Sequence, residues 1–159
     1  MNSPNVGITN AAVMITQTGP RERRVLLLTH KHGGGAGLPG GNIDPLPGPK
    51  PQLETPWRAM QREYREETGT ELPHINLLAT IIWQGHTVIF VAEAQPGSVA
   101  VGPPTDPKAL QEITDRRLTR VSDLRQAVNG RTSWHLRPEA KTSTGAVLQQ
   151  MGWCMGGKC

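Results

Sequence analysis

Aromatic side chains are scarce in this sequence: one Tyr, one Phe and four Trp in 159 residues. A core made with so few rings leans on Val, Ile and Leu, and a broad groove for stacking bases is not expected. Cysteine is scarcer still, with Cys154 and Cys159 both in the glycine-rich end WCMGGKC. Two cysteines without a neighbouring histidine exclude a zinc site and supply no disulfide framework. No apolar run approaches the length of a membrane span, and the start MNSPNVG lacks the basic-then-apolar pattern of a secretory leader. The expectation is a protein of a reducing, cytoplasmic compartment with no membrane partner. Glycine and proline, by contrast, are plentiful, at 18 and 14 residues. They cluster, leaving periodic segments between them, which is a globular pattern and not a disordered one. The length suits one domain over residues 1–153, followed by a short tail, 154–159.

The formal net charge is +4. The segment Asp115 to Lys141 carries seven basic residues, Arg116 and Arg117 among them, against three acidic ones, and so holds the whole excess. A polyanionic partner and a solvated basic face account for this imbalance equally well.

The most informative stretch is TPWRAMQREYREETGT, Thr55 to Thr70. Thr55 is an N-cap residue, Pro56 suits the first helical position, and Gly69 suits the left-handed turn that ends a helix. On such a helix Glu63, Glu66 and Glu67 fall at i, i+3 and i+4, so three carboxylates share a face. Their repulsion opposes the helix unless a cation sits among them. Arg62, one turn from Glu66, supplies part of that charge. Hard oxygen donors on a rigid element suit Mg²⁺ or Mn²⁺.

From Gly48 the chain runs five residues to Glu54, then seven to Arg62-Glu63-Tyr64-Arg65-Glu66-Glu67-Thr68-Gly69-Thr70. This resembles the Nudix box, G-x5-E-x7-R-E-U-x-E-E-x-G-U with U a bulky apolar residue. Every fixed letter is matched, and only Thr70 is a polar substitute. The match also includes Leu38-Pro39-Gly40-Gly41, a run whose second glycine in that family usually opens the box. Here Gly41 stands seven residues ahead of Gly48. Either Gly48 is the box glycine, or Gly41 is its equivalent and the proline-rich stretch 43–51 is an insertion; the loop character of IDPLPGPKP favours the insertion.

The resemblance to Nudix hydrolases implies an α/β fold, an α/β/α sandwich with a mixed sheet between helices. The chain fits that architecture. Strands are expected at Val6–Thr16 and Arg24–His30, and a hairpin at Ile75–Trp83 and His86–Ala94. A further strand is expected at Glu112–Val121. A short helix, Leu124–Val128, would be capped by Ser122-Asp123, and a closing helix would span Glu139–Met151 with Ala146, Val147 and Met151 inward. The glycines at 35, 37 and 40 spell G-x-G-x-x-G, but prolines follow where a dinucleotide fingerprint needs a helix.

The resemblance also implies an activity: hydrolysis of the pyrophosphate in a nucleoside diphosphate derivative, with Mg²⁺ or Mn²⁺ as cofactor. Glu63, Glu66, Glu67 and the Gly41 carbonyl would hold the metal, and Arg62 would support them. The base that takes a proton from water would be Glu63, Glu112 or Glu93. For substrate contacts, Lys31 lies beside the glycine loop and Trp83 at the hairpin tip. The implied substrate is a nucleotide or the capped or 5′-phosphorylated end of an RNA, mRNA decapping included, and the basic segment tilts toward RNA. The competing reading is a Nudix-like module that binds nucleotide or RNA without cutting it.

Overall fold

The computed structural model describes residues 7–19, 21–32 and 34–153; the two cysteines and Val6 lie outside the described residues. The element order is β1 (Asn10–Thr18), β2 (Arg23–His30), β3 (Ala36–Gly37), β4 (Gly40–Asn42), α1 (Pro56–Thr68), β5 (Ile75–Trp83) and β6 (Thr87–Ala94). It continues with α2 (Pro107–Leu110), β7 (Ile113–Arg120), α3 (Val121–Val128) and α4 (Pro138–Gln150).

The strands form one mixed sheet. β1 runs parallel to β6 over Asn10–Thr16, and all the other pairings are antiparallel. On its other edge β1 pairs with two different strands: β4 along Asn10–Ala12 and β2 along Thr16–Thr18. Between those pairings the Leu38–Gly41 turn enters the sheet, where Val13 N–H donates to the Pro39 carbonyl at 2.9 Å. This division of one strand edge brings a loop to the middle of the sheet and positions the site.

Two apolar cores lie on opposite faces. One joins α1, through Ala59, Met60 and Tyr64, to Val13, Ile15, Leu26, Leu28 and Phe90. The other joins α3 and α4, through Leu124, Ala127, Val147 and Leu148, to Met14, Val25, Leu27, Ile89 and Val91. The unbroken run Val25–Leu28 reflects this: a strand covered on both faces needs no polar alternation.

Several expectations are corrected. β1 begins at Asn10, because the chain before it is held by its neighbour's hairpin turn, with Thr9 N–H on the His86 carbonyl. α3 begins at Val121, with no side-chain cap from its own sequence. Its free Ser122 N–H is instead taken by Glu22 Oε1 at 2.6 Å, a cap delivered from 100 residues away that local sequence cannot reveal. α4 buries Ser143, Thr144, Val147 and Leu148, leaving Ala146 and Met151 half-buried, so its inward stripe is rotated from the expected one. The stretch before β7 contains α2, with Asp106 capping Ala109 N–H at 3.1 Å and Pro107 at the first position. No helix among the described residues is long and apolar enough to cross a membrane.

Arg116 departs furthest from its reading as part of a basic surface. It is 6% exposed. Its guanidinium donates to the carbonyls of Gly102, Thr68, Val101 and Pro103 at 2.9–3.3 Å. Thr68 is the last residue of α1, so this cation also meets the negative end of the helix dipole. Arg117 pairs with Asp115 and Arg120 with Asp123, which disperses the segment's charge further.

Candidate active site

α1 is the platform. Thr55 Oγ1 accepts from Arg58 N–H at 3.2 Å, and Gly69, at φ 74°, closes the helix with its N–H on the Arg65 carbonyl. Met60 and Tyr64 face the core, with Trp57 edge-on to Phe90 at 4.9 Å. Glu67 follows Met60 and Tyr64 at helical spacing, so the same stripe that packs the helix carries this carboxylate inward. Glu63 flanks the stripe and Glu66 faces solvent, its side chain 56% exposed.

The Gly40–Gly41 turn presses against that helix. Gly40 N–H donates to Glu67 Oε1 at 2.8 Å. A Cβ on Gly40 would lie 2.5 Å from the Ala11 carbonyl oxygen, and one on Gly41 would lie 2.5 Å from the Glu63 carboxyl carbon. Gly40 requires glycine because the clash is with backbone, whereas a side chain at Gly41 would displace the Glu63 carboxylate. Gly48 behaves differently: at φ 142° it stands in the open, with nothing near its Cβ position. Around it the chain folds back on itself. Pro45 bridges Leu53, Leu46 N–H meets the Gln52 carbonyl at 2.7 Å, and Glu54 N–H meets the Asp44 carbonyl at 2.9 Å. Residues 43–53 are thus a protruding hairpin that returns Glu54 beside the place it left.

Arg62 gathers the acids. Its Nε and Nη2 hold both oxygens of Glu54 at 2.9 Å, and Nη1 reaches Glu63 at 3.1 Å and Glu66 at 3.2 Å. Nη2 also donates to the Asn42 carbonyl at 2.9 Å and lies 3.2 Å from Asp44. The guanidinium beside Glu54 holds its carboxyl below the usual carboxylate range. Burial pushes the Glu63 carboxyl upward against the pull of Arg62.

Glu67 is the opposite case. Only 5% exposed, its carboxyl is pushed up to about 8 by burial, with Glu63 and Glu112 adding repulsion that the Gly40 N–H only partly offsets. His30 Nε2 stands 4.0 Å from Glu67 Oε2, too far for a hydrogen bond. Burial and the nearby Arg137 lower the imidazole's pKa, so it adds little positive charge. Among the described residues no three His, Cys, Asp or Glu side chains stand converged as a ready cage for a metal; Glu63 and Glu66 share the guanidinium instead. The donor chemistry nonetheless fits a hard dication: three carboxylates, an adjacent backbone carbonyl at Gly41, and a buried carboxylate disfavoured for want of positive charge.

A cavity of about 270 Å³ opens beside the glycine turn, with Gly40 and Gly41 on one wall, Trp83 and Thr87 on another, and Arg137 and Ser143 from the start of α4 opposite. It is bounded by apolar sheet and a few polar groups, as ligand pockets are.

The NUDIX domain profile matches residues 8–137. The chain belongs to the NUDIX family. No curated protein matches the sequence. Among solved structures, the chain is similar to M. smegmatis RenU, a Nudix hydrolase, with 18% identity, 92% of this chain and 87% of that one covered, and a TM-score of 0.64. It is similar to a C. elegans Ap4A hydrolase in a binary complex at 16% identity, 92% and 96% coverage and a TM-score of 0.58. The NUDIX domain of Shewanella oneidensis NrtR, complexed with ADP ribose, matches at 17% identity, 94% coverage of both chains and a TM-score of 0.57. At these identities the likeness is one of fold, and the fold is that of NUDIX proteins.

Within this NUDIX domain the sequence-derived residues separate into two groups. Glu63, Glu67, Gly41 and Arg62 converge, with Glu66 at the rim through Arg62. Glu112 lies close enough to Glu67 to act on its charge. Trp83 lines the cavity but is also half-buried against the second core and edge-on to His86 at 5.7 Å. Lys31 is exposed and contributes its backbone N–H to the Glu112 carbonyl at 2.7 Å, not its ammonium to the cavity wall. Glu93 is held on β6 by Arg23 at 3.0 Å and the Thr18 hydroxyl, away from α1. Sequence reasoning missed Gly40, His30 and Arg137. Only Gly40 had a local signal, as the first glycine of the pair; the other two arrive by tertiary packing of β2 and the α4 entry.

Proposed function

We propose that this NUDIX chain is a Mg²⁺- or Mn²⁺-dependent pyrophosphohydrolase acting on a small nucleoside diphosphate derivative. The observation that carries this reading is Glu67, a buried carboxylate beside two other acids, with its pKa pushed up to about 8 and hydrogen-bonded to Gly40, which lines a ligand-sized cavity. Glu63, Glu66, Glu67 and the Gly41 carbonyl would hold the metal, Gly41 and not Gly48 being the glycine in contact with Glu63. A dication bound there neutralises phosphate charge and acidifies a water. Arg62 positions Glu63 and Glu66 through its fork of donors. A water oxygen attacks phosphorus, the bridging P–O bond breaks, and the leaving phosphate keeps the electron pair. The proton passes to Glu112, with Glu63 the other candidate. Trp83 offers a face for the base, and Arg137 a charge for a phosphate.

Burial of Arg116 takes one cation out of the basic segment that pointed to RNA ends, and the cavity beside the glycine turn is of small-ligand size, so a small substrate is favoured over capped or 5′-phosphorylated RNA. The ADP-ribose complex of the NrtR domain and the Ap4A hydrolase support the same class.

The test is a hydrolysis panel with Mg²⁺ and with Mn²⁺ at fixed ionic strength. It comprises nucleoside triphosphates, ADP-ribose, a dinucleoside tetraphosphate and a short capped RNA, with products identified by mass. Metal-dependent cleavage of a small substrate is expected, lost in Glu66→Gln and Glu67→Gln and slowed about a hundredfold or more by removing the base. Preferred cleavage of the capped RNA would restore the RNA reading. Nucleotide binding with no cleavage of any substrate would make the chain a binding module.

A further inference from the structure

A second set of cavities lies outside the catalytic pocket, along β7, which among the described residues is paired only through β2. A cavity of about 240 Å³ is lined by Leu27, Thr29, Arg117, Thr119, Trp134 and His135. A second, of about 200 Å³, adjoins it; Arg117, Thr119 and Trp134 line both, and Arg24, Arg120 and Asp123 complete the second. This groove is separated from the catalytic cavity by a single thickness of backbone. There Ala36 N–H meets the His135 carbonyl and Arg137 N–H meets the Ala36 carbonyl, each at 2.9 Å.

Three features of the groove are unexplained by folding. Thr119 is 6% exposed, and its hydroxyl has no hydrogen-bond partner among the described residues. A buried hydroxyl in that state is disfavoured and calls for a partner. Trp134 packs one side on the second core while its other surface lines both cavities. Arg117, 62% exposed, has only a 3.5 Å contact with Asp115. An indole, an unsatisfied hydroxyl and the exposed Arg117 guanidinium complement a flat heteroaromatic ring carrying a phosphate. Arg117, Thr119 and Trp134 line both cavities, so guanidinium, hydroxyl and ring face one continuous groove. Asp123, bound to Arg120 at 3.1 Å, adds a carboxylate to the lining of the smaller cavity, which disfavours a second phosphate there.

We propose that this groove is a second, non-catalytic nucleotide site. A base rests against Trp134 within reach of the Thr119 hydroxyl, and a single phosphate is held by Arg117, which shares with Thr119 the face of the sheet that carries Val25 and Leu27. The Asp123 carboxylate selects a mononucleotide over an extended strand. This proposal does not depend on the catalytic reading, because no residue of the groove belongs to the acidic site.

The probe is AMP, titrated calorimetrically into the full chain in EDTA, where metal-dependent turnover is absent. Binding is expected to survive Glu67→Gln, Trp83→Ala and Arg24→Ala, whose side chain lies on the other face of the sheet, and to weaken about tenfold in Arg117→Ala. Thr119→Val, which removes the unsatisfied hydroxyl at nearly constant shape, should weaken AMP several-fold while leaving the melting temperature unchanged or higher. Trp134→Leu should weaken AMP but not inorganic phosphate. AMP affinity insensitive to Arg117→Ala would overturn the site, as would inorganic phosphate binding as tightly as AMP. An oligoadenylate binding at least tenfold tighter than AMP would also overturn it, replacing a mononucleotide pocket with a strand track. Loss of hydrolysis across the whole substrate panel, with AMP binding still dependent on Arg117, would sink the catalytic reading and leave this one standing.

Discussion

Glu54 and Glu67 are buried to nearly the same degree, 8% and 5% exposed, and each accepts one backbone N–H, from Asp44 at 2.9 Å and Gly40 at 2.8 Å. Their carboxyl groups nevertheless move in opposite directions. Glu54 is grasped at both oxygens by Arg62 and stays ionised. Glu67 meets Glu63 and Glu112 and a distant, pKa-lowered imidazole, and is pushed up to about 8. Desolvation is the largest influence on Glu67 and the Arg62 hydrogen bonds are the largest on Glu54, so depth in the protein and nearest partner together set the charge of an internal carboxylate. One acid has its counter-charge within the chain, and the other is left with a demand for positive charge that a bound dication would meet.

Removing Arg62 tests the comparison most severely, because it turns Glu54 into a second Glu67. Arg62→Ala leaves buried acids without their cation, and a loss of about 3–5 kcal/mol in chemical denaturation is expected. Lysine at this position should recover only part of the loss, since one ammonium cannot grip both Glu54 oxygens and still reach Glu63 and Glu66. A fully stable Arg62→Ala variant would mean that the network is not what fixes these acids.

Glu67→Gln should lower metal-dependent turnover by more than the about hundredfold ceiling seen for outer-shell partners of a metal. Its effect on the metal-free fold should run the other way. A carboxyl with a pKa of 4.5 unfolded and about 8 folded keeps its proton longer in the native state. Wild-type stability in EDTA therefore falls as pH rises from 4.5 to about 8. Glutamine abolishes that slope and is expected to be the more stable protein at pH 8. A flat wild-type profile over this range would show that Glu67 titrates normally.

The contrast between these two acids explains what could be seen in the sequence. The helix Pro56–Thr68, its caps and its acidic face were legible, because capping residues and i, i+3, i+4 spacing act locally. So was the hairpin at β5 and β6, whereas the pressing of the glycine turn against the helix came only with the fold. The direction of each carboxylate's shift was not legible, because it depends on which groups the fold delivers: Glu54 by the return of the 43–53 hairpin, Glu112 by the start of β7. Arg116 fails for the same reason. Its neighbours in sequence suggested a basic surface, whereas the carbonyls that hold it belong to α1 and to the loop at 101–103. The cap of Ser122 by Glu22 is a further case of a partner too distant to be inferred.

Glu54→Gln should be milder than Arg62→Ala, because Arg62 keeps Glu63, Glu66 and Asp44. A loss of about 1–3 kcal/mol at pH 7 is expected, the range for a buried partner left unsatisfied. The sign of its pH dependence opposes that of Glu67. A lowered folded pKa gives stability that is present above 4.5 and disappears as pH falls through the folded value. Wild type and Glu54→Gln should thus converge in acid and separate at neutral pH. A constant gap at all pH values would point to packing and not to charge.

The smallest expected effect belongs to Glu112. Its repulsion is one of two that raise Glu67, and the weaker one. Glu112→Gln should therefore shorten the falling limb of the metal-free stability profile, ending it at lower pH by less than about one pH unit, because a Glu67 carboxylate with one fewer acid beside it ionises at less cost to the fold. In titration, Glu67 itself should ionise at lower pH, by NMR of its carboxyl carbon. Glu93→Gln is the control, since Arg23 holds Glu93 away from α1, and it should leave that titration where it was. Equal effects from the two variants would mean that Glu67 responds to the protein's overall charge and not to the acid at the start of β7, and the claim of Glu112 to a place beside the reacting water would lose its geometric support.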